Sequence, residues 1–369
     1  MALVVDLGSG LCKAGFSTDE KPRYVFPSVV GHYPVSKETR YVGRRASERM
    51  SKPIHLTYRK PLENGRIVDW NGVEQLITHL YEDVLGGEPD EHAVFMTNFR
   101  NIEDSGRAAK KVTEILFETF NVPAVYIPPS SASLCLHALG KTDGLVIELG
   151  DGVNYITPHF DGHQLPSRSS MVSGGEITEF LAHLLNLKGH SFYTSYDLEL
   201  VRQLKESHAG VSLNIEEDEV LLSDSDNQPE YTFADGRTVK LGDEILKCTE
   251  ILFEPHGFGS FGHDVKGIHE LAAECITELP TQEIHDALSS NIILCGGTTM
   301  LPGLKERLEA DLLPKVAAFE GTKIIAPANR DHLAWHGAAV YASRDDFPDA
   351  CVTRAKYDEM GATCIADCK

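Results

Sequence analysis

The chain has 369 residues, of which 42% are hydrophobic and 24% are charged, so it can fold around more than one hydrophobic core. Its formal net charge of −21 argues against nonspecific binding to nucleic acid or to an anionic membrane. No apolar run reaches the roughly 18–20 residues that a membrane helix needs. No charged leader precedes the first predicted strand, which contains Val4 and Val5, so no signal peptide is expected.

The first part of the chain alternates predicted strands and helices. ALVVDLG reads as a buried strand that ends in a glycine turn, and strands and turns continue to about residue 31. Apolar residues with helical spacing predict a helix over 71–85, with Asp69 or Asn71 as its cap. A strand over 92–99, a helix over 106–120 and a strand over 124–129 follow.

The second part also alternates predicted strands and helices, and it begins at a glycine turn that follows Val146. The segment 229–242 predicts a hairpin that turns at Asp235 and Gly236. NIILCGG, ending at Gly297, predicts another buried strand, with a helix over 302–313 after it. The acidic segment 215–230 is interpreted as a solvated loop or a helix end. Strands that alternate with helices predict the α/β class.

Eight cysteines are spread along the chain. Cys135 and Cys295 lie in apolar runs, which is typical of buried thiols in a reducing compartment. Cys364 and Cys368 lie four residues apart near the C-terminus. Because no second pair or neighbouring histidine accompanies them, they are not expected to bind a metal.

Two segments end a buried strand with an acid, a leucine and a Gly-x-Gly turn: VVDLGSG at 4–10 and VIELGDG at 146–152. Glycines leave successive backbone N–H groups uncovered, and such a concave turn binds phosphate oxygens. The acids Asp6 and Glu148 are suited to hold a hydrated magnesium ion against those phosphates. Two such turns across a cleft, with LCGGTTM at 294–300 as a platform for base or ribose, predict a triphosphate site. Three unrelated tight turns remain the alternative on these features alone.

Longer motifs, in order along almost the whole chain, resemble actin and the actin-related proteins. They are DLGSGLCKAGF, VFPSVVG, YVG, LENGRIVDW, LFETFNVPAVY, ELGDGV, ELVRQLKE, ADGRTVKLGDE, GIHE, LCGGTTMLPGL, KIIAP and KYDEMG. The resemblance implies an actin-like, two-lobed ATPase fold made of duplicated ribonuclease H-like domains, with four subdomains around a nucleotide cleft. The small lobe would comprise 1–138 and 331–369, with its second subdomain at about 29–64. The large lobe would comprise 139–330, with its fourth subdomain at about 175–255.

The resemblance also implies a site for ATP or ADP with Mg²⁺ (or Ca²⁺). Asp6 and Glu148 would hold the metal through water. Lys13 would neutralise the β- and γ-phosphates. The implied nucleotide-binding positions are Gly8, Ser9, Gly10, Lys13, Gly150, Asp151, Gly152, Val153, Gly174, Arg202, Lys205, Glu206, Gly296, Gly297, Thr298 and Met300.

Several positions depart from the family pattern at this site. Ser131 and Tyr155 stand where actin has the glutamine and the histidine that orient the attacking water. A serine is too short to reach that water, and a phenol is a poor proton acceptor at neutral pH. Glu148 replaces an aspartate, Leu301 an aromatic residue and Asp331 a lysine. These departures predict slow or absent hydrolysis with no assignable catalytic residue; a shifted backbone with another water-orienting residue is the alternative.

The segments that match the filament contacts of actin also differ from the family pattern in this chain. The span between Gly31 and Tyr41 is short and lacks an apolar tip. In the cleft that receives this loop, His137 replaces a tyrosine, His336 replaces an apolar residue, and the charged run 344–346 follows. The loop within 256–270 is longer, and no acidic N-terminal tail like that of actin is expected. Together these changes argue against ordinary self-assembling filaments.

Three functions compete on this evidence. The first is a divergent actin-like protein that binds nucleotide and acts as a structural subunit of a cytoskeletal or other multiprotein assembly, with partners that include actin or actin-related subunits. The second is an ATP-hydrolysing filament former with unusual contacts, and the third, disfavoured, is a kinase of the wider superfamily. The expected location is the cytoplasm and cytoskeleton, with a nuclear complex left open. No direct contact with nucleic acid or membrane is expected.

Overall fold

The computed structural model describes residues 1–33, 40–49, 56–87, 89–97, 105–222, 228–257, 265–316 and 321–367. The strands are β1 (Ala2–Leu7), β2 (Leu11–Phe16), β3 (Tyr24–Pro27), β4 (Val30–His32), β5 (Arg40–Val42), β6 (Thr57–Arg59), β7 (Leu62–Glu63), β8 (Arg66–Ile67), β9 (Ala93–Met96), β10 (Ala124–Tyr126), β11 (Gly144–Leu149), β12 (Asn154–Phe160), β13 (His163–Gln164), β14 (Arg168–Ser170), β15 (Glu230–Thr232), β16 (Thr238–Lys240), β17 (Ile292–Cys295), β18 (Ile324–Ile325) and β19 (Val352–Thr353).

The α-helices are α1 (Gly43–Glu48), α2 (Trp70–His79), α3 (Ser105–Glu114), α4 (Ser131–Ala138), α5 (Gly174–Leu187), α6 (Ser195–His208), α7 (Ile215–Leu222), α8 (Glu244–Glu250), α9 (Ile268–Thr277), α10 (Gln282–Ser289), α11 (Leu304–Leu312), α12 (Leu333–Ala342), α13 (Phe347–Ala350) and α14 (Arg354–Met360). One turn of π-helix extends α2 over Leu80–Leu85, and another extends α3 over Ile115–Thr119. Within the described ranges, no helix has the length and apolar character needed to cross a membrane.

Two large sheets share one topology. The first has the order β19-β10-β9-β1-β2-β3, and the second has the order β18-β17-β11-β12-β13. In each sheet the central strand, β1 or β11, is antiparallel to the next strand in sequence and parallel to a strand that returns much later, β9 or β17. This repeat confirms the α/β class and agrees with the duplicated domains that the resemblance implied.

Both central strands are buried on their two faces, which explains their unbroken apolar sequences. In β1, Leu3 and Val5 face the first core, whereas Ala2 and Val4 face the opposite side. In β11, Leu145, Ile147 and Leu149 face one core in the same way, whereas Val146 faces the opposite side. Because both faces need apolar side chains, the first polar residue of each strand comes at its end, beside the glycine turn.

Local signals placed several elements correctly. The side chain of Asp69 caps α2 by accepting a hydrogen bond from the backbone N–H of Gly72. The predicted hairpin forms from β15 and β16, and Gly236 has the positive φ of +88° that its turn requires. The acidic segment 215–230 begins as the helix α7, while its residues 223–227 lie outside the described ranges.

The helices α4 and α12 pack against each other on the inner faces of the two sheets. Trp335 of α12 is fully buried, and its indole N–H donates a 3.0 Å hydrogen bond to the backbone oxygen of Val4. Leu134 and Trp335 contribute to the core beneath β1, while Leu136 and Leu333 contribute to the core beneath β11. The same two helices therefore support both sheets at the level of the glycine turns.

Gly337 permits this close approach, so we expect Gly337→Ala to destabilise the fold. A Cβ atom at this position would lie 1.9 Å from the backbone oxygen of Leu134, and backbone cannot move as a side-chain tip does. The expected loss in the free energy of unfolding is about 3 kcal/mol, at the upper end for overpacking. Urea unfolding measures it. Gly106→Ala is the matched control, because a Cβ atom there meets nothing within 4 Å, and it should leave stability unchanged or slightly higher.

Candidate functional site

A cavity of about 630 Å³ opens where β1 and β11 end. The turn after β1 and the turn after β11 face each other across it at very close range. A Cβ atom on Gly10 would lie 2.8 Å from the Cβ atom of Asp151, and one on Gly152 would lie 2.4 Å from the Oγ atom of Ser9. These two positions require glycine because any side chain would push the two turns apart.

The structure brings most of the predicted site residues to this one cavity. Those that line it are Asp6, Gly8, Ser9, Gly10, Lys13, Ser131, Glu148, Gly150, Asp151, Gly152, Val153, Tyr155, Lys205, Glu206, Gly296, Gly297, Thr298 and Met300. Two predicted residues do not line it. Gly174 lies beneath the second turn, where its N–H donates to the backbone oxygen of Gly150 at 2.9 Å. The guanidinium of Arg202 is instead paired with the carboxylates of Glu199 and Glu206.

The first turn carries a buried cation. The ammonium of Lys13 lies 3.3 Å from the Oδ2 atom of Asp6, and the Thr97 hydroxyl donates to Oδ1 of the same carboxylate at 2.8 Å. Burial opposes the charge on Lys13, but the Asp6 carboxylate outweighs it and raises the pKa of Lys13 above its ordinary value. Lys13 is therefore a fixed positive charge at the floor of the cavity.

A network of hydrogen bonds to backbone atoms fixes the second turn, at residues 150–152. The backbone oxygen of Gly150 accepts from the hydroxyl of Thr298 at 2.9 Å, and that of Asp151 accepts from the hydroxyl of Ser173 at 2.7 Å. The side-chain oxygen of Asn154 accepts from the N–H of Gly150 at 3.1 Å. Because these bonds fix the turn from behind, its cavity face is preorganised.

Two lysines flank the side chain of Asp151. Lys60 donates to Oδ2 of Asp151 at 2.7 Å, and Lys205 donates to the backbone oxygen of Gly174 at 2.6 Å. Burial alone would raise the pKa of Asp151, but the charges of Lys60 and then Lys205 lower it below its ordinary value. For Lys205, burial dominates and lowers the pKa. Sequence reasoning missed Lys60, which belongs to no motif.

The carboxylates that are predicted to hold a metal and the two positions that are predicted to lack a water-orienting side chain meet in this cavity. Glu148 and Tyr155 are direct partners in the antiparallel register of these strands. Ser131 is the first residue of α4. All three line the cavity together with Asp6 of β1, so the carboxylates predicted to hold a metal line the same cavity as Ser131 and Tyr155.

Two further departures from the family pattern also line the cavity: Leu301 is buried and Asp331 is half-buried. The Oδ1 atom of Asp331 lies 2.8 Å from Nδ1 of His332. That hydrogen bond holds the pKa of Asp331 below its ordinary value. The cavity lining therefore carries a negative charge at Asp331, where the family pattern has a lysine.

The predicted filament surfaces are described in part. Residues 34–39 of the short span after Gly31 and residues 258–264 of the longer loop lie outside the described ranges, as does Cys368. His137 is half-buried, and its ring lies edge-on to Tyr341 at 5.8 Å between centroids. Burial, and then the charge of Arg344, lower the pKa of His137. Arg344 itself is paired with Asp346 at 2.5 Å.

The duplicated sheets, the interleaved helices and the cavity between two facing glycine turns define an actin-like, two-lobed fold. A family model described as Actin matches residues 1–369, the whole chain. The chain belongs to the actin family.

Proposed function

We propose that the chain binds ATP or ADP with Mg²⁺ (or Ca²⁺) in this cavity. The observation that carries the proposal is the pair of facing glycine turns with Lys13 in the lining of the same cavity. Backbone N–H groups and a buried ammonium suit the oxygens of a polyphosphate. Two carboxylates, Asp6 and Glu148, line the same cavity, and carboxylate oxygen is the ligand type that a hydrated Mg²⁺ accepts. The donor set therefore fits a metal–nucleotide complex.

We propose further that hydrolysis is slow or absent. When bound, the metal would neutralise developing charge on the phosphates, but a water molecule would still have to be oriented for attack. Ser131 offers one short hydroxyl and Tyr155 offers a phenol, and neither is an effective base at neutral pH. The nucleotide would then act mainly as a part of the structure that joins the two halves of the cavity.

The role that these features support is a structural subunit of a cytoskeletal or other multiprotein assembly, in the cytoplasm or, in a nuclear complex, in the nucleus. In this proposal the small lobe comprises 1–138 with 331–369, and the large lobe comprises 139–330. The partners are other proteins, including actin or actin-related subunits, with no direct contact to nucleic acid or membrane. The cleft that receives the filament loop in actin is altered here, with His137 and with a charged pair between Arg344 and Asp346. This supports a partner other than a second copy of this chain.

One experiment tests the hydrolysis and the binding separately. The nucleotide is extracted from purified protein and separated into ATP and ADP, and phosphate release is then followed for hours with Mg²⁺. Retained ATP without phosphate release supports the proposal. Steady release that rises with protein concentration would favour the alternative, an ATP-hydrolysing filament former, and sedimentation with a critical concentration would establish it. Protein that neither carries nor takes up nucleotide would contradict the binding itself.

The contact between Lys60 and Asp151 predicts an effect on nucleotide release. Lys60 follows β6 and joins this strand to Asp151 of the second turn, which lines the cavity, and the N–H of Tyr58 on β6 donates to the hydroxyl of Ser195 at 3.1 Å. Because Lys60→Met removes one of the contacts that hold β6 against the second turn, we expect the nucleotide to dissociate about 10-fold faster. Displacement of a fluorescent ATP analogue measures the rate.

The matched control for this variant is Lys305→Met, which removes a lysine from an ion pair with Glu309 on the outer side of α11. It should leave the dissociation rate unchanged. An unchanged rate in Lys60→Met as well would mean that the ion pair does not slow the release of the nucleotide.

A further inference from the structure

Two cysteines that are 160 positions apart meet at the back of the cavity. The Sγ atom of Cys135, on α4, lies 3.1 Å from the Sγ atom of Cys295, at the end of β17. A carboxylate oxygen of Glu148, at the end of β11, lies within 4.8 Å of both sulfur atoms. Among the described residues, this is the one cluster of three such side chains with metal-binding spacing.

The three side chains differ in their access to the cavity. Cys135 is completely buried, whereas Cys295 and Glu148 line the cavity wall. An ion between them would therefore have three protein ligands on the inner side and one open position toward the cavity. This is the ligand count of metal sites that keep a place for water or a substrate atom, in contrast to closed structural sites with four protein ligands.

We propose that Cys135, Cys295 and Glu148 form a site for one thiophilic divalent cation of the Zn²⁺ or Cd²⁺ class. Thiolate sulfur selects soft or borderline cations, whereas Mg²⁺ and Ca²⁺ demand oxygen. The proposed site is thus chemically distinct from the Mg²⁺ position of the proposed nucleotide complex, although Glu148 borders both. It does not require nucleotide binding to be correct.

The geometry and the charges suit this ion. Zn–S bonds of about 2.3 Å in a tetrahedron place two sulfurs about 3.8 Å apart, so the pair needs to open by less than 1 Å, about one small side-chain rotation. The cation would displace one proton from each thiol to solvent and would be held by two thiolates and one carboxylate.

The site would also have a mechanical consequence. Cys135 belongs to the helix that supports both sheets, while Cys295 and Glu148 lie at the ends of two neighbouring parallel strands. One ion would fasten α4 to the second sheet at the level of the glycine turns. We therefore expect bound Cd²⁺ to raise the melting temperature of the chain, which Mg²⁺ cannot do through these ligands.

The test is a titration of the full chain with Cd²⁺ in a reductant that does not bind metal, followed by the ultraviolet band of thiolate-to-cadmium charge transfer. We expect one equivalent per chain and no such band with Mg²⁺. Since the loss of even an outer-shell partner costs about 10–100-fold in metal affinity, Cys135→Ser and Cys295→Ser should each weaken binding at least about 100-fold. Cys248→Ser is the matched control, because Cys248 is equally buried but lies apart from the cluster, and it should bind normally.

A second measurement keeps the proposal testable if the serine variants fold poorly. In the unaltered chain, Cd²⁺ should protect Cys135 and Cys295, but not Cys351, from alkylation after brief exposure to denaturant, as mapped by peptide mass spectrometry. No band with the unaltered chain, a band that survives in both serine variants, or unselective protection would each overturn the proposal. So would a peptide pair joined through Cys135 and Cys295 with the loss of two hydrogens in protein purified without reductant, which would identify a disulfide instead.

Discussion

Lys13→Met should weaken the binding of ATP by about 10- to 150-fold. A hydrogen bond that involves a charged group contributes about 1.5–3 kcal/mol, and each 1.4 kcal/mol is a tenfold change in affinity. The substitution also removes the ion pair of Lys13 with Asp6, so less positive charge remains in the cavity lining to oppose the phosphates. Titration with a fluorescent ATP analogue in the presence of Mg²⁺ measures the affinity.

The control for this prediction is Lys323→Met, which removes the same charge from an exposed position outside the cavity. It should bind ATP as the unaltered chain does. Urea unfolding of both variants without nucleotide separates an effect on affinity from an effect on the fold. If Lys13→Met bound ATP normally while remaining folded, the phosphates would not lie beside Lys13, and the proposed orientation of the nucleotide would be wrong.

Local patterns in the sequence were sufficient for the elements that build the cavity. The strands β1 and β11 are apolar on both faces and stop at an acid and glycines, so both their burial and their ends could be read directly. Side-chain contacts between distant segments could not be read. Lys60 reaches Asp151 across 91 positions, and Cys135 reaches Cys295 across 160, with no spacing that signals either contact.

Arg202 illustrates a different limit. Resemblance places it near the adenosine, but in the structure its guanidinium is paired with Glu199 and Glu206. These partners lie three residues before it and four residues after it, so all three share one face of α6. Helical spacing in the sequence therefore contained the signal for this pairing, while the position of Arg202 near the adenosine stays a prediction of the resemblance.

Replacing Ser131 by a longer amide and Tyr155 by an imidazole should raise the rate of phosphate release. We expect the double variant with Ser131→Gln and Tyr155→His to release phosphate about 10²–10⁴-fold faster than the unaltered chain, because general base catalysis contributes about 10²–10⁴-fold and misplacement of a positioning group costs about 10²-fold. Both positions line the cavity beside Glu148, so the new side chains would face the same space. Phosphate release under single-turnover conditions measures the rate.

The matched control makes the same two exchanges away from the cavity, with Ser207→Gln on α6 and Tyr193→His, both at exposed positions. It should leave the rate unchanged. Each single cavity variant should lie between the extremes, because each new group contributes part of the orientation of the water. A double variant that binds ATP normally and still releases no phosphate would show that Ser131 and Tyr155 do not limit hydrolysis. The limit would then lie with the carboxylate of Glu148, whose extra methylene moves it relative to an aspartate, and Glu148→Asp in the same background would be the variant that raises the rate.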